Sequence, residues 1–193
     1  MSLIEIRWHG RGGQGAKTIA QLFAEAVISE NVYVQAFPEY GPERMGAPVQ
    51  SFNRISDRPI TLHCAVEFPD YVVVLDDHLL DTVPVAEGMK LTSILLVNTT
   101  MSAEEIRNKL KVDKEIKIYT IDADKISLET IGKKIPNTPM MGALVKVMGN
   151  ISIEHVIANV RERLEKKFRH KPEVITGNIE SIKRAYNEIK TGL

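Results

Sequence analysis

The stretch His9-Gly10-Arg11-Gly12-Gly13-Gln14-Gly15 is the part of this sequence best suited to chemistry. Glycine lets a chain turn tightly and lets backbone N–H groups come close to a ligand. Beyond it, Ile19, Leu22, Phe23, Ala26 and Val27 recur at helical spacing. A helix that starts there points free N–H groups and a partial positive charge at the turn, which suits an anion. Arg11 and Lys17 can add charge, and Thr18 a hydroxyl. A turn that only packs a helix on a sheet also needs glycine, but four of them between Gly10 and Gly15 exceed that need.

Two nucleotide-binding patterns overlap this turn. Gly10, Gly12 and Gly15 satisfy G-x-G-x-x-G between a strand and a helix, the dinucleotide pattern. Its ribose-binding acid is not evident: Pro38-Glu39 sits near the required place but inside a loop. Gly10 to Gly15 also has P-loop spacing, with Lys17-Thr18 following. Ala16 intervenes, however, and turns the lysine by about 100° around the helix, away from a phosphate. Val73-Val74-Leu75-Asp76-Asp77 imitates a Walker B strand, an ending common to many α/β proteins. An NAD(P)-binding Rossmann-like enzyme stays open as an alternative, and a P-loop nucleotidase is disfavoured.

The second candidate is Pro38-Glu39-Tyr40-Gly41-Pro42-Glu43-Arg44-Met45-Gly46-Ala47-Pro48. Three prolines and two glycines in eleven residues forbid a continuous helix or strand. Long loops of this kind often carry function. Arg44 suits bidentate pairing with a phosphate or carboxylate, and an ion pair with Glu43 is the competing reading. His9, at a strand end, reads either as a proton carrier or as a packed histidine. His63, His78, His155 and His170 show no metal-ligand spacing. Cys64 falls in an expected strand and reads as a small buried residue. Met140 and Met141 read as core, with an interface patch as the alternative. Asn137 and Thr138 are expected to line a cleft at the strand ends. No residue reads as a lone catalyst, and no metal set is expected.

The elements that must hold these residues alternate. Strands are expected over Leu3 to Trp8, Val32 to Phe37, Val49 to Ile55, Tyr71 to Leu75, Ser93 to Val97 and Glu115 to Ile121. A hairpin partner at Ile60 to Cys64 would make the sheet mixed. Ser102 to Glu105 matches a capping box for a helix toward Leu110, and Asp122 caps another toward Lys134. Two apolar stripes follow: Ile153 to Leu164, and Ile175 to Ile189. The pattern predicts one α/β domain over 1–193, three-layered, with a mostly parallel, possibly mixed sheet and a helical C-terminal third.

Composition narrows the function. The 25 Lys+Arg balance 25 Asp+Glu, so no surplus positive charge favours nucleic acid. No stretch approaches a membrane span. One cysteine allows neither an intrachain disulfide nor a four-cysteine cluster. The expected location is cytoplasmic.

The turn and the loop together are more specific than either alone. With Gln35-Ala36-Phe37 before the loop, Phe52-Asn53-Arg54-Ile55-Ser56 after it, Pro69-Asp70, Val97-Asn98 and Asn137-Thr138-Pro139-Met140-Met141-Gly142-Ala143, the chain resembles the gamma subunit of pyruvate (2-oxoacid):ferredoxin oxidoreductase, the pyruvate synthase family. Met45 departs from the family loop, which usually has a second basic residue there. The resemblance implies an enzyme subunit inactive alone. The complex would convert pyruvate and coenzyme A to acetyl-CoA, CO2 and reduced ferredoxin. Alpha, beta and delta partners would hold thiamine diphosphate, Mg and iron–sulfur clusters, and this chain would hold no cofactor tightly. It would help to bind coenzyme A and to cover the active site, through Gly10, Arg11, Gly12, Gly13, Gln14, Gly15 and Thr18 and through Tyr40, Gly41, Glu43 and Arg44. Ketoisovalerate- and 2-oxoglutarate-type oxidoreductases have related subunits, so the oxoacid stays open.

Overall fold

A computed structural model describes residues 3–29, 32–39 and 45–192. Its first elements are β1 (Ile4–Arg11), α1 (Ala16–Val27), β2 (Tyr33–Pro38), β3 (Pro48–Ser56), β4 (Tyr71–Val74), β5 (Ile94–Asn98) and α2 (Ala103–Leu110). Then come β6 (Lys117–Ile121), α3 (Ala123–Ile131), α4 (Asn137–Met148), α5 (Ile153–Lys167), α6 (Pro172–Glu188) and β7 (Lys190–Gly192). The strands form one seven-stranded sheet in the order β2-β3-β1-β4-β5-β6-β7. β1, β4, β5 and β6 are parallel neighbours, while β3 and β7 run against theirs. The expected mixed α/β sheet is present.

The sheet is mixed for a different reason from the one expected. Ile60 to Cys64 forms no strand; β3 pairs with β2 and β1 instead. The segment from Asp57 to Asp70 is irregular because buried arginines take its carbonyls. Arg54 donates to Cys64 O (2.9 Å) and Ala65 O (3.3 Å), pairs with Glu5 (2.8 Å) and lies over the Phe37 ring. Arg7 donates to the carbonyls of Val66, Val85 and Glu87. Buried carbonyls need donors, and here guanidinium groups supply what a ladder would have supplied. Cys64 is accordingly exposed, not buried.

Apolar burial covers both sheet faces. α1, α3, α4, α5 and α6 pack on one face around Trp8, Phe23, Met140 and Leu144. α2 and the short turn at Asp77–Asp81 pack on the other around Val72, Val74, Leu79 and Ile106. Met140 and Met141 are fully buried, so they fill core. Ser102 and Glu105 make the expected capping box at α2. The helix capped by Asp122 ends at Ile131, where Gly132 takes a left-handed conformation.

Asn53 ties three strands and a helix together. Its Oδ1 accepts from the Trp8 indole (2.8 Å), and its Nδ2 donates to Ala20 O of α1 (2.9 Å) and to Gln35 O of β2 (3.2 Å). Beside it, Ser51 Oγ donates to Ala16 O (2.8 Å). These bonds fix the height and rotation of α1 on β3. Asn53→Ala leaves the buried indole N–H without its partner; a buried donor left unpaired costs about 1–3 kcal/mol. Urea denaturation of the variant should show a loss of that order, and an unchanged midpoint would remove Asn53 from this role.

Candidate functional site

β1 and β4 are neighbours whose onward connections run to opposite sides of the sheet. Ligands of open α/β sheets bind in the crevice at such a point, beyond the carboxyl ends of the strands. The glycine turn occupies it. Its glycines divide the work. Gly10 allows close packing, since a Cβ there would stand 3.0 Å from Ala16 Cβ and 3.2 Å from Leu75 Cδ1. Gly13 (φ 95°) and Gly15 (φ 83°) take conformations that L-residues avoid. Gly15 is the N-cap of α1 and makes no side-chain cap bond. The first N–H groups of α1 are therefore available to a ligand.

The structure joins the two motifs that the sequence singles out. Gly12 N donates to Ala47 O (2.8 Å), Gly46 N donates to Gly12 O (3.0 Å), and Arg11 Nη1 donates to Gly46 O (3.1 Å). Thr18 and Lys17 are exposed on the first turn of α1. Met45 is 96% exposed beside this junction. Tyr40, Gly41, Glu43 and Arg44 lie outside the described residues. Asn137 stands against the turn, its Nδ2 2.8 Å from where a Gly15 Cβ would be. Thr138 is buried and bonds to Asn178 (2.9 Å).

Arg11 and Gln14 are held from below by Asp76. Arg11 Nε (2.9 Å) and Gln14 Nε2 (2.8 Å) both donate to Asp76 Oδ2, and His78 N donates to Oδ1 (3.0 Å). Burial pushes the Asp76 carboxyl up, but the bonds from Gln14, His78 and Arg11 outweigh it and hold its pKa below the ordinary value. Arg11 is thus a positioned and neutralised cation. Gln14 Oε1 in turn accepts from Arg11 N (2.8 Å), closing the turn on itself.

Beside the turn lies a cleft of about 400 Å³, lined among others by Gln14, Asp76, Asn98, Asp122 and Lys134. Asn98 organises it. Its Nδ2 donates to Leu75 O (2.9 Å) and Asp124 Oδ1 (3.2 Å), and its Oδ1 accepts from Ala123 N (2.8 Å). Thr99 Oγ1 donates to Asp77 (2.7 Å). With Asp76, Asp77, Asp122 and Asp124 against Lys134, the lining is acidic. Asp76, Asp77 and His78 approach one another closely enough for a metal. Both Asp76 oxygens, however, already serve Arg11, Gln14 and His78. Sequence reasoning missed Asp76 and Asn98 as site residues. Their signal was a polar residue at the end of each buried strand, which taken singly is common to α/β proteins.

The Rossmann alternative fails on topology. There the second strand lies beside the first and carries the ribose acid. Here the antiparallel β3 separates β2 from β1.

Comparison with known proteins agrees. The family described as pyruvate ferredoxin/flavodoxin oxidoreductase matches residues 5–188. The pyruvate/ketoisovalerate oxidoreductases common subunit gamma of Pyrococcus abyssi is 49% identical over 160 residues, 83% of this chain and 86% of its own. The crystal structure of the pyruvate oxidoreductase subunit PORC of Thermotoga maritima superposes over 100% of both chains, with a TM-score of 0.85 and 45% identity. A 2-oxoglutarate:ferredoxin oxidoreductase from Magnetococcus marinus, solved with 2-oxoglutarate, coenzyme A and succinyl-CoA, shares the fold. Its TM-score is 0.72 at 20% identity, over 97% of this chain and 31% of that one.

His9 lies under the turn at 2% exposure and accepts from Arg7 Nε (3.1 Å), so it is packed and is no exposed proton carrier. Burial, then the Arg7 charge, lowers its pKa to about 3. The unfolded chain, with an ordinary histidine near 6.5, binds the proton more tightly. His9 therefore adds stability above pH 6.5 that is lost as pH falls toward 3. Urea titrations at pH 7 and pH 5 should show a steeper acid loss for the natural protein than for His9→Gln. Parallel pH slopes would refute the assignment.

Proposed function

The chain belongs to the pyruvate ferredoxin/flavodoxin oxidoreductase family, as a gamma-type subunit, and we propose that it serves a complex that oxidises pyruvate, with the Gly10–Gly15 turn contacting coenzyme A. The observation that carries this reading is the uncapped start of α1, held at the switch point against Gly46 and Ala47. N–H groups there suit a diphosphate. The cleft is too acidic to take one, so the phosphates lie on the Thr18 flank of the turn. Tyr40, Gly41, Glu43 and Arg44 join the proposal on their sequence alone.

In the proposed reaction pyruvate loses CO2, two electrons leave for ferredoxin, and the acetyl group is joined to the coenzyme A thiol with loss of the thiol proton. Thiamine diphosphate, with Mg, supplies the decarboxylation chemistry in partner alpha and beta subunits. Iron–sulfur clusters in those subunits or in a delta subunit would supply the path for the electrons. The single cysteine of this chain cannot hold such a cluster. Its own residues bind and orient the coenzyme and close the opening against water. Pyruvate is preferred over ketoisovalerate and 2-oxoglutarate because of the Gly-Pro-Glu-Arg-x-Gly-Ala-Pro loop.

In the assembled enzyme, Gly13→Val should raise the KM for coenzyme A about tenfold, the equivalent of one lost charge-assisted bond, and leave the KM for pyruvate in place. Equal changes in both constants, with normal assembly, would defeat the coenzyme A reading. Viologen reduction with each of the three oxoacids tests the substrate: a higher kcat/KM for ketoisovalerate or 2-oxoglutarate would reassign it.

A further inference from the structure

The two edges of the sheet are unlike. β7 is three residues long, and a very short strand is one way in which a sheet edge is kept from pairing with another chain. β2, at the other edge, is six residues long, and Val32 to Pro38 holds no charged side chain. Its β-branched and aromatic residues suit a strand that pairs. Among the described residues, no strand lies on its outer side.

The register shows which backbone groups of β2 are free. Glu39 N donates to Gln50 O (3.0 Å), and the same register sets Phe37 opposite Phe52 and Gln35 opposite Arg54. Bonded and non-bonded positions alternate along an antiparallel pair. Tyr33, Gln35 and Phe37 therefore turn their N–H and C=O groups to β3, while Val34, Ala36 and Pro38 turn theirs outward. Pro38 fits this phase, because a proline in a sheet must sit where no ladder donor is needed. The side chains alternate as well. Ala36 shares a face with Asn53, which bonds to α1, and Tyr33 and Phe37 share the opposite face with Phe52. Phe37 is held there by the Phe52 ring (5.2 Å between centroids) and by the Arg54 guanidinium. Tyr33 is 46% exposed.

The outward groups of Val34 and Ala36 stand symmetrically about Gln35. A strand of the same sequence, laid antiparallel with Gln35 opposite Gln35, satisfies all of them. Val34 exchanges both bonds with Ala36 of the second copy, and Ala36 does so with the second copy's Val34. Pairing stops at both ends for the same reason: Pro38 has no N–H, and Val32, which would face it, already donates to Ser29 O (3.3 Å). This register also sets the exposed Tyr33 opposite Phe37 of the second copy. That is a non-bonded position, where facing side chains come closest and an aromatic pair is favourable.

We propose that β2 is a self-association edge, through which two copies of this chain join their sheets about a twofold axis at Gln35. An interface of this symmetry must be complementary to itself, and the outward groups of β2 are. The proposal rests on the fold and the strand register alone, and is independent of the coenzyme A reading.

The test is sedimentation velocity of the full chain between about 1 and 100 µM, the range that suits a small interface. A reversible monomer–dimer equilibrium is expected. Ala36→Pro removes only an outward N–H, so it should leave the circular dichroism spectrum in place and raise the dimer Kd at least about tenfold. Cross-linking in a Cys64→Ser background reads the register. Gln35→Cys should close an interchain disulfide, since directly opposite Cβ atoms stand about 4.5–5.5 Å apart. Tyr33→Cys lies about four strand rises from its counterpart and should not. If Ala36→Pro disturbs the fold, the cross-link decides. A chain that is monomeric throughout, a dimer indifferent to Ala36→Pro, or cross-linking at Tyr33→Cys in preference to Gln35→Cys overturns the proposal. A monomeric chain whose Ala36→Pro variant fails to enter the assembled enzyme also overturns it, and gives the edge to a strand of another subunit.

Discussion

The hydrogen bonds from Ser51 and Asn53 to the backbone of α1 are the constraint on which the site depends. A helix packed on a sheet by apolar contact alone can slide or rotate at small cost, since such contact is non-directional. Directed bonds to Ala16 O and Ala20 O remove that freedom. They hold the start of α1 level with the ends of β1 and β4. Asn53 also binds the Trp8 indole, so the same residue locks the strand that enters the turn. Strand, turn and helix are thus set by Ser51 and Asn53 together.

Charge is then divided across the turn. Asp76 neutralises Arg11 and fixes Gln14, so those side chains build the turn. Their polar atoms are engaged within the protein. The acidic cleft lies on one flank of the turn, and Lys17 and Thr18 are exposed on the first turn of α1. The chain is neutral as a whole, and this neutrality conceals an asymmetry that its fold creates. Under the proposed function, such an asymmetry would steer an anionic ligand before any direct contact forms.

On the proposed function, the chain needs only to present backbone donors rigidly at the turn. The buried Arg7 and Arg54 add rigidity to the sheet that carries the turn. They satisfy carbonyls of an irregular segment that would otherwise leave polar groups unpaired against the sheet.

The sequence by itself determined the strand–glycine–helix opening, the capped helices at Ser102 and Asp122, and the family, because these rest on local conformation and short patterns. The continuous apolar run Tyr71 to Leu75 likewise marked a strand. Only the tertiary structure decided which strand neighbours β1. Ile60 to Cys64 alternates plausibly for a hairpin, yet Arg7 and Arg54 reach in from distant strands and claim that segment's carbonyls. Asp76 and Asn98 became candidate site residues only when the sheet order put their strand ends beside the turn. Short-range pattern carries conformation along the chain. Which side chains meet depends on strand order and helix direction, and those follow from burial and hydrogen bonding summed over the whole molecule.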